Sequence, residues 1–289
     1  MAINYIEGIK PGAKIDLSAF EKKKEKKAKE KILRPEIHLE RLKNKLVDLS
    51  KEVNCEFGDF LDENGQINLV GTDSSQDAFL VSEQEKGFAN DAGKKLTDWR
   101  RDKEINPASL TEMALTVVLH KFLKDDYIIA RASAYDDYNN GIDQVIIDKK
   151  SGAVICGVDE VITYYKDGSA PKKEEKLSRK MAGGGARLKY GATVIDGRLA
   201  RRSLNNIPAF YLALTNEDLL KLLSGIEEDD SGINVSEIDV LTRLISSLED
   251  QLNLISGNYS QNQNLGNNLV KFKDSLNNIK SKFSLSIAS

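Results

Sequence analysis

The sequence predicts an α/β protein: a mixed, largely buried sheet flanked by helices, with helical appendages at both ends. Two observations carry that expectation. The stretch Ile142–Ile162 is dense in Val and Ile and is broken by Lys149-Lys150-Ser151-Gly152, the pattern of two adjacent buried strands joined by a turn. Apolar residues recur at spacings of three and four near residue 40 and again beyond residue 238, the period of helices with one apolar face.

In chain order, residues 1–20 read as an irregular lead. Glu21–Lys31 is a charged helix or a basic arm, and a solvated face is the simpler account of it. Pro35 suits a helix start, and Leu39, Leu42, Leu46, Leu49 and Val53 then form a stripe. Asp62-Glu63-Asn64-Gly65 lies in Phe57–Val70. Aligning Gly65 with the glycine of a calcium loop puts Phe60 and Gly71 at ligand positions, so the Asn-Gly pair predicts a hairpin turn instead. Asp77–Ser82 reads as a short strand, and Asp91–Glu104 as a helix carrying the single tryptophan, Trp99, as a packing anchor. Asn106-Pro107 opens the helix Leu110–Leu123, and Tyr127–Tyr135 follows as a strand.

The two central strands are Ile142–Asp148 and Ala153–Ile162. A helix is expected near Glu174–Met181, then a short strand at Arg187–Gly191, a turn at Asp196-Gly197-Arg198 and the last core strand Ile207–Leu214. Thr215 or Asn216 caps the helix Glu217–Leu223. Past the acidic loop Glu227–Gly232, one stripe runs from Ile238 to Ile255 and another from Leu265 to Phe283. The Asn-, Gln- and Ser-rich Gly257–Gly266 connects them as a helical hairpin. The expected division is therefore a helical arm over 1–56, an α/β core over 57–225 and a C-terminal hairpin over 226–289. Stripes of this kind need a partner, supplied within the chain, by a second copy forming a homodimer, or by another protein.

With 30% charged and 40% hydrophobic residues, the composition suits a soluble protein with long surface helices. No run approaches the roughly 20 apolar residues that span a bilayer, which argues against a membrane partner. The first residues lack a signal-peptide core, and two cysteines, Cys55 and Cys156, are too few for a disulfide framework or a Cys-based zinc site. The expected setting is a reducing cytoplasm, with Cys156 a small core residue. The net charge of −3 leaves nucleic acid open, because local charge decides. Positive charge gathers at Lys22–Lys31 and at Lys172–Arg202, the second including Arg187, Arg198, Arg201 and Arg202. Gly183-Gly184-Gly185 lacks the Gly-Lys-Ser/Thr of a phosphate loop.

Acids inside the apolar strands are what the composition of a sheet does not explain. Asp143 stands at the mouth of one strand, and Asp159 and Glu160 stand near the end of the next. A buried carboxylate costs several kcal/mol without a cation or donor, so these positions predict a site. Strict alternation would let only one of Asp159 and Glu160 share a face with Asp143. Glu112 reads from its spacing as the acid of a capping box begun by Ser109. His120, one edge of that helix away, reads as a surface or edge residue.

This order of elements and acids, from Leu110 to Leu214, resembles the PD-(D/E)XK nuclease superfamily, whose core runs helix, three strands, helix, strand. The resemblance implies a restriction-endonuclease-like fold, a magnesium ion held by Asp143 with Asp159 or Glu160 and by Glu112, and a DNA or RNA substrate. The family places a lysine two residues after the acid, where this chain has Val161 or Ile162. The lysine would then come from Lys176 or Lys180 on the following helix, or from Lys189, with Lys172–Arg202 gripping phosphates. Two other readings stand beside it. A nuclease-like core that does not cut would hold nucleic acid or a protein partner through its helical appendages, and acids paired with nearby cations would simply close a strand end.

Overall fold

The structure is a computed structural model and describes the backbone of residues 35–162, 169–228, 234–258 and 262–288 and the side chains of 35–162, 175–226, 234–255 and 262–282. The Lys22–Lys31 run, Lys172 and Lys173, and most of the Glu227–Gly232 loop lie outside the described residues.

Helix α1 spans Pro35–Phe57 and buries Leu42, Leu46, Leu49 and Val53, the stripe the sequence contains. After it, Leu61 and Ile67 bridge across a turn in which Asp62 Oδ1 accepts the N–H groups of Asn64 and Gln66. The aspartate closes the backbone of the turn that the Asn-Gly pair predicts.

Two expectations then need correction. Asp77–Ser82 is not a strand but part of helix α2, Ser74–Asp91, and the helix expected at Asp91–Glu104 is the shorter α3, Leu96–Glu104. The N–H groups of Ala92, Gly93 and Lys94 turn back onto the last carbonyls of α2 and end it.

Helix α4, Pro107–Leu123, starts from Asn106, whose side chain accepts the Ser109 N–H at 2.9 Å. The capping box expected from Ser109 therefore does not form, because Ser109 is already inside the helix. Glu112 is left for other use.

The central sheet comprises β1 (Tyr127–Arg131), β2 (Gln144–Asp148), β3 (Val154–Ile162) and β6 (Ala209–Leu214) in the order β1-β2-β3-β6. The first two pairings are antiparallel and β3–β6 is parallel. Between β3 and β6 the chain passes through helix α5, Ser169–Ala182, and a long hairpin of β4 (Ala186–Ile195) and β5 (Arg198–Ile207). The second strand of that hairpin was not legible, because half of its residues are polar. Gly152, at φ +68°, closes the β2–β3 turn directly beneath β4, and a Cβ there would lie 2.4 Å from the Val194 carbonyl oxygen.

Helices α6 (Asn216–Glu228), α7 (Val235–Asn258) and α8 (Gln263–Ala288) complete the chain. Their stripes pack on the sheet itself. Phe272 of α8 stacks on Phe210 of β6 with centroids 4.2 Å apart. The Gln251 carboxamide accepts the Tyr211 N–H and donates to the Tyr211 carbonyl, which occupies backbone groups on the open edge of β6. One buried apolar cluster runs from Leu42 to Ile279, with no break at residue 225. The result is a mixed α/β protein with a small mixed sheet flanked by helices. Among the described residues no helix is long and apolar enough to cross a membrane.

Candidate functional site: a bulged strand mouth with buried carboxylates

The mouth of β2 is shaped by a segment the sequence does not announce. Asp136–Asn140 forms a single π-helical turn, and Gly141 follows at φ +59°, ψ 54°, a left-handed conformation that glycine adopts without penalty. Asp136, only 1% exposed, anchors this turn by accepting from the Ser133 hydroxyl, the Asn140 carboxamide and the backbone N–H groups of Lys189 and Tyr190. The turn is thereby tied to β4, and the chain enters β2 at a fixed angle.

The entry into β2 is irregular. Gln144 pairs with Val158, yet the Asp143 N–H also donates to the Val158 carbonyl at 2.8 Å. Two residues of one strand oppose one of the other, a bulge that re-aims the Asp143 side chain. Asp143 therefore meets Glu160 and stands within reach of the Asp159 charge. Its Oδ2 accepts the Glu160 N–H at 2.7 Å, and the Asp159 charge acts on it as well. On the other side of β2, the buried Gln144 side chain donates to the Glu112 carbonyl and the Thr116 hydroxyl, which docks α4 with Glu112 above the strand mouth. Glu112 itself pairs with Arg131 of β1 at 3.3 Å.

Electrostatically these groups form one set. Burial pushes the Asp143 carboxyl well above its ordinary value, and the negative charges of Glu112, Asp159 and Asp137 push it further. Burial does the same to Glu160, with Asp143, Glu112 and Asp159 adding to it. Burial also raises Glu112 and Asp137, although Arg131 and Lys103 pull both back. Glu160 is 7% exposed, and its carboxyl lies against that of Asp143 with no basic side chain paired to either among the described residues. Two buried acids set together share a proton or a cation.

The lysines divide clearly. Lys180 of α5 donates from Nζ to the carbonyls of Asn140 and Gly141, at 2.7 and 2.9 Å. Lys176, one turn earlier on the same face, places Nζ 2.6 Å from where a Cβ on Gly141 would stand. Both therefore reach the mouth of β2 from the helix after β3. Lys189 goes elsewhere, its Nζ 2.6 Å from Asp77 and over the Tyr135 ring. Arg201 donates to the Asn68 carbonyl and lies over Phe60, whereas Arg187, Arg198 and Arg202 are exposed. His120 is held by Glu52 at 3.2 Å at the far end of α4, and Cys156 is fully buried. Asp137 was missed in the sequence, where Asp136-Asp137 precedes two asparagines and reads as a loop.

A hard divalent cation takes carboxylate and carbonyl oxygens, and the donor set at the mouth is of that kind. Among the described residues no three carboxylate, His or Cys groups are drawn together at ligating distance, so the acids are electrostatic neighbours and not a closed cage. Compared with known proteins, the chain matches no family model, no curated protein and no solved structure.

Proposed function

We propose that this protein is a metal-dependent nuclease of the restriction-endonuclease-like kind, hydrolysing phosphodiester bonds at the mouth of β2. The observation that carries the reading is the pair of buried carboxyls, Glu160 against Asp143, with no basic side chain paired to either among the described residues and with the charges of Glu112 and Asp159 acting on both. The order helix α4, strands β1 to β3, helix α5, strand β6, with β3 and β6 parallel, supports it. So does the arrival of Lys176 and Lys180 from α5, since neither Val161 nor Ile162 supplies a cation.

In this reading Asp143 with Asp159 or Glu160, and with Glu112, would hold magnesium once these acids close in on it, and the ion when bound supplies charge neutralisation and an acidified water. The chain's own residues do the rest. Asp143 is held in place by the Glu160 N–H, and the bulge and the π-helical turn fix where its carboxylate stands. Lys180 locks the Asn140–Gly141 backbone. Lys176, exposed beside Gly141, is placed to meet a phosphate oxygen and to stabilise charge as it develops there. The exposed arginines of β4 and β5 would hold flanking phosphates, and binding through them should weaken steeply with salt.

The test is a cleavage assay on single-stranded and duplex DNA and RNA with magnesium, manganese or a chelator, comparing wild type with Asp143→Asn. Metal-dependent cleavage lost in the variant is the expected result. Binding without cleavage by the wild type under every metal condition would leave a nucleic-acid-binding module in place of the enzyme.

A further inference from the structure

A cavity of about 230 Å³ opens beside the acidic site. It is smaller than the ~300–1,000 Å³ of sites for drug-sized ligands, so it suits one compact ring system and not an extended chain. Asp137 and Arg131 lie in its wall, and because Asp137 also meets Asp143 and Arg131 pairs with Glu112, the cavity adjoins the strand mouth. The carboxamides of Asn64 and Gln66 also line it. Such groups pair with the edges of nucleobases.

At the rim stands an aromatic row. Phe88 of α2 lies nearly parallel to Trp99 of α3 and to Tyr138 of the π-helical turn, with centroids 6.0 and 6.1 Å away and interplanar angles of 19° and 23°. Tyr138 is both the last ring of the row and part of the cavity wall. Its hydroxyl is fixed between Lys103, at 2.7 Å, and Glu85, at 3.0 Å, and the Lys103 ammonium lies 4.3 Å from its ring centroid. Phe88 is 48% exposed, although a lone aromatic on a helix of this kind gains by burial. Stacked rings of this kind, with Phe88 open to solvent and Trp99 and Tyr138 partly so, are the apparatus that stacks unpaired bases, while Arg100 and Lys103 beside them are held by Glu85 and the Tyr138 hydroxyl.

From this we infer that the protein takes a single strand, or an unpaired end or flap, and seats one unstacked base in the cavity while its neighbours lie along Phe88 and Trp99. The inference rests on the nuclease reading, for it places the scissile phosphate at the strand mouth next to the seated base. A fully paired duplex cannot offer a base to the row without first being opened. The rings lie outside the acidic set, so binding and cutting can be measured apart.

The experiment uses full-length Asp143→Asn protein and fluorescein-labelled oligo-dT, oligo-U and a blunt hairpin duplex, followed by anisotropy, with a 2-aminopurine strand reporting stacking by quenching. The single strands should bind more tightly than the duplex. Phe88→Ala should weaken single-strand binding roughly 5- to 150-fold, the range of one lost base–aromatic stack, with duplex binding unchanged. Phe88→Trp should retain affinity and quenching. Because Phe88 is half-exposed, its truncation leaves the core intact, and circular dichroism verifies that. Equal binding of single strand and duplex, insensitivity to Phe88, or no binding of any strand would each overturn the inference. Wild-type cleavage is scored separately. Phe88-dependent binding without metal-dependent cleavage would overturn the nuclease reading alone, and duplex-selective cleavage untouched by Phe88→Ala would overturn this inference alone.

Discussion

Asp143→Asn separates a site built to hold charge from an acid that closes a strand end. The substitution keeps the shape, and an amide oxygen can still accept the Glu160 N–H now bonded at 2.7 Å. What is lost is the difference between a charged and a neutral hydrogen bond, about 1 kcal/mol. What is relieved is larger. A buried carboxylate carries an effective desolvation penalty of several kcal/mol, and here Glu112, Asp159 and Asp137 repel it as well. Without divalent metal at pH 8, the variant should therefore be more stable than wild type by about 1–2 kcal/mol, roughly 2–8 °C in melting temperature.

The pH dependence has a definite sign. The folded-state value of Asp143 lies above the unfolded value of about 3.9. Below pH ~4 the carboxyl is protonated in both states and wild type suffers no penalty. As pH rises from there through the raised folded value, wild type loses stability and the variant does not. The gap should thus vanish near pH 4 and widen toward pH 8. Millimolar magnesium or manganese should reverse it, since a ligand at 100 times its dissociation constant adds about 2.7 kcal/mol to the state that binds it. Differential scanning fluorimetry of both proteins over pH 4–8, with chelator and with metal, makes the measurement. A variant that melts lower than wild type at pH 8 in chelator, with wild type indifferent to every divalent metal, would refute the reasoning.

The two lysines of α5 should behave differently. Lys180→Met removes two bonds to the Asn140 and Gly141 carbonyls and should cost about 1–3 kcal/mol of stability, whereas Lys176→Met should leave melting unchanged and lower kcat roughly 10²–10³-fold. Phe272→Ala breaks the stack on Phe210 in a closed part of the core and should cost about 3–5 kcal/mol by denaturant unfolding. A near-neutral result would favour the reading of the C-terminal hairpin as an appendage. Asn106→Ala should cost about 1 kcal/mol through the lost cap of α4, while Ser109→Ala, whose side chain is no cap, should cost less.

The sequence by itself determined the elements with a strong period. The α1 stripe, α4, the strands β2 and β3, β6 and the two C-terminal helices are all dictated by where apolar residues recur, because burying one face is the main reward for folding. It also marked Asp143, Asp159 and Glu160, since acids stand out in a run of Val and Ile, and it offered Lys176, Lys180 and Lys189 once positions 161 and 162 were seen to be apolar, although Lys189 pairs instead with Asp77. Weak patterns misled it. Asp77–Ser82 is helical because tertiary packing overrides a local strand preference, and β5 was invisible because an exposed strand has no apolar alternation to read. Only the tertiary structure decided which acids meet. The bulge at Asp143 sets it against Glu160 with the Asp159 charge acting on both, and a bulge is a property of two strands together. The π-helical turn, its anchoring by Asp136 and the delivery of Asp137 and Tyr138 to a cavity shared with α2 and α3 depend on contacts between residues some 40 to 60 positions apart. No local pattern encodes them, because the free energy that fixes them is released only when the pieces have already come together.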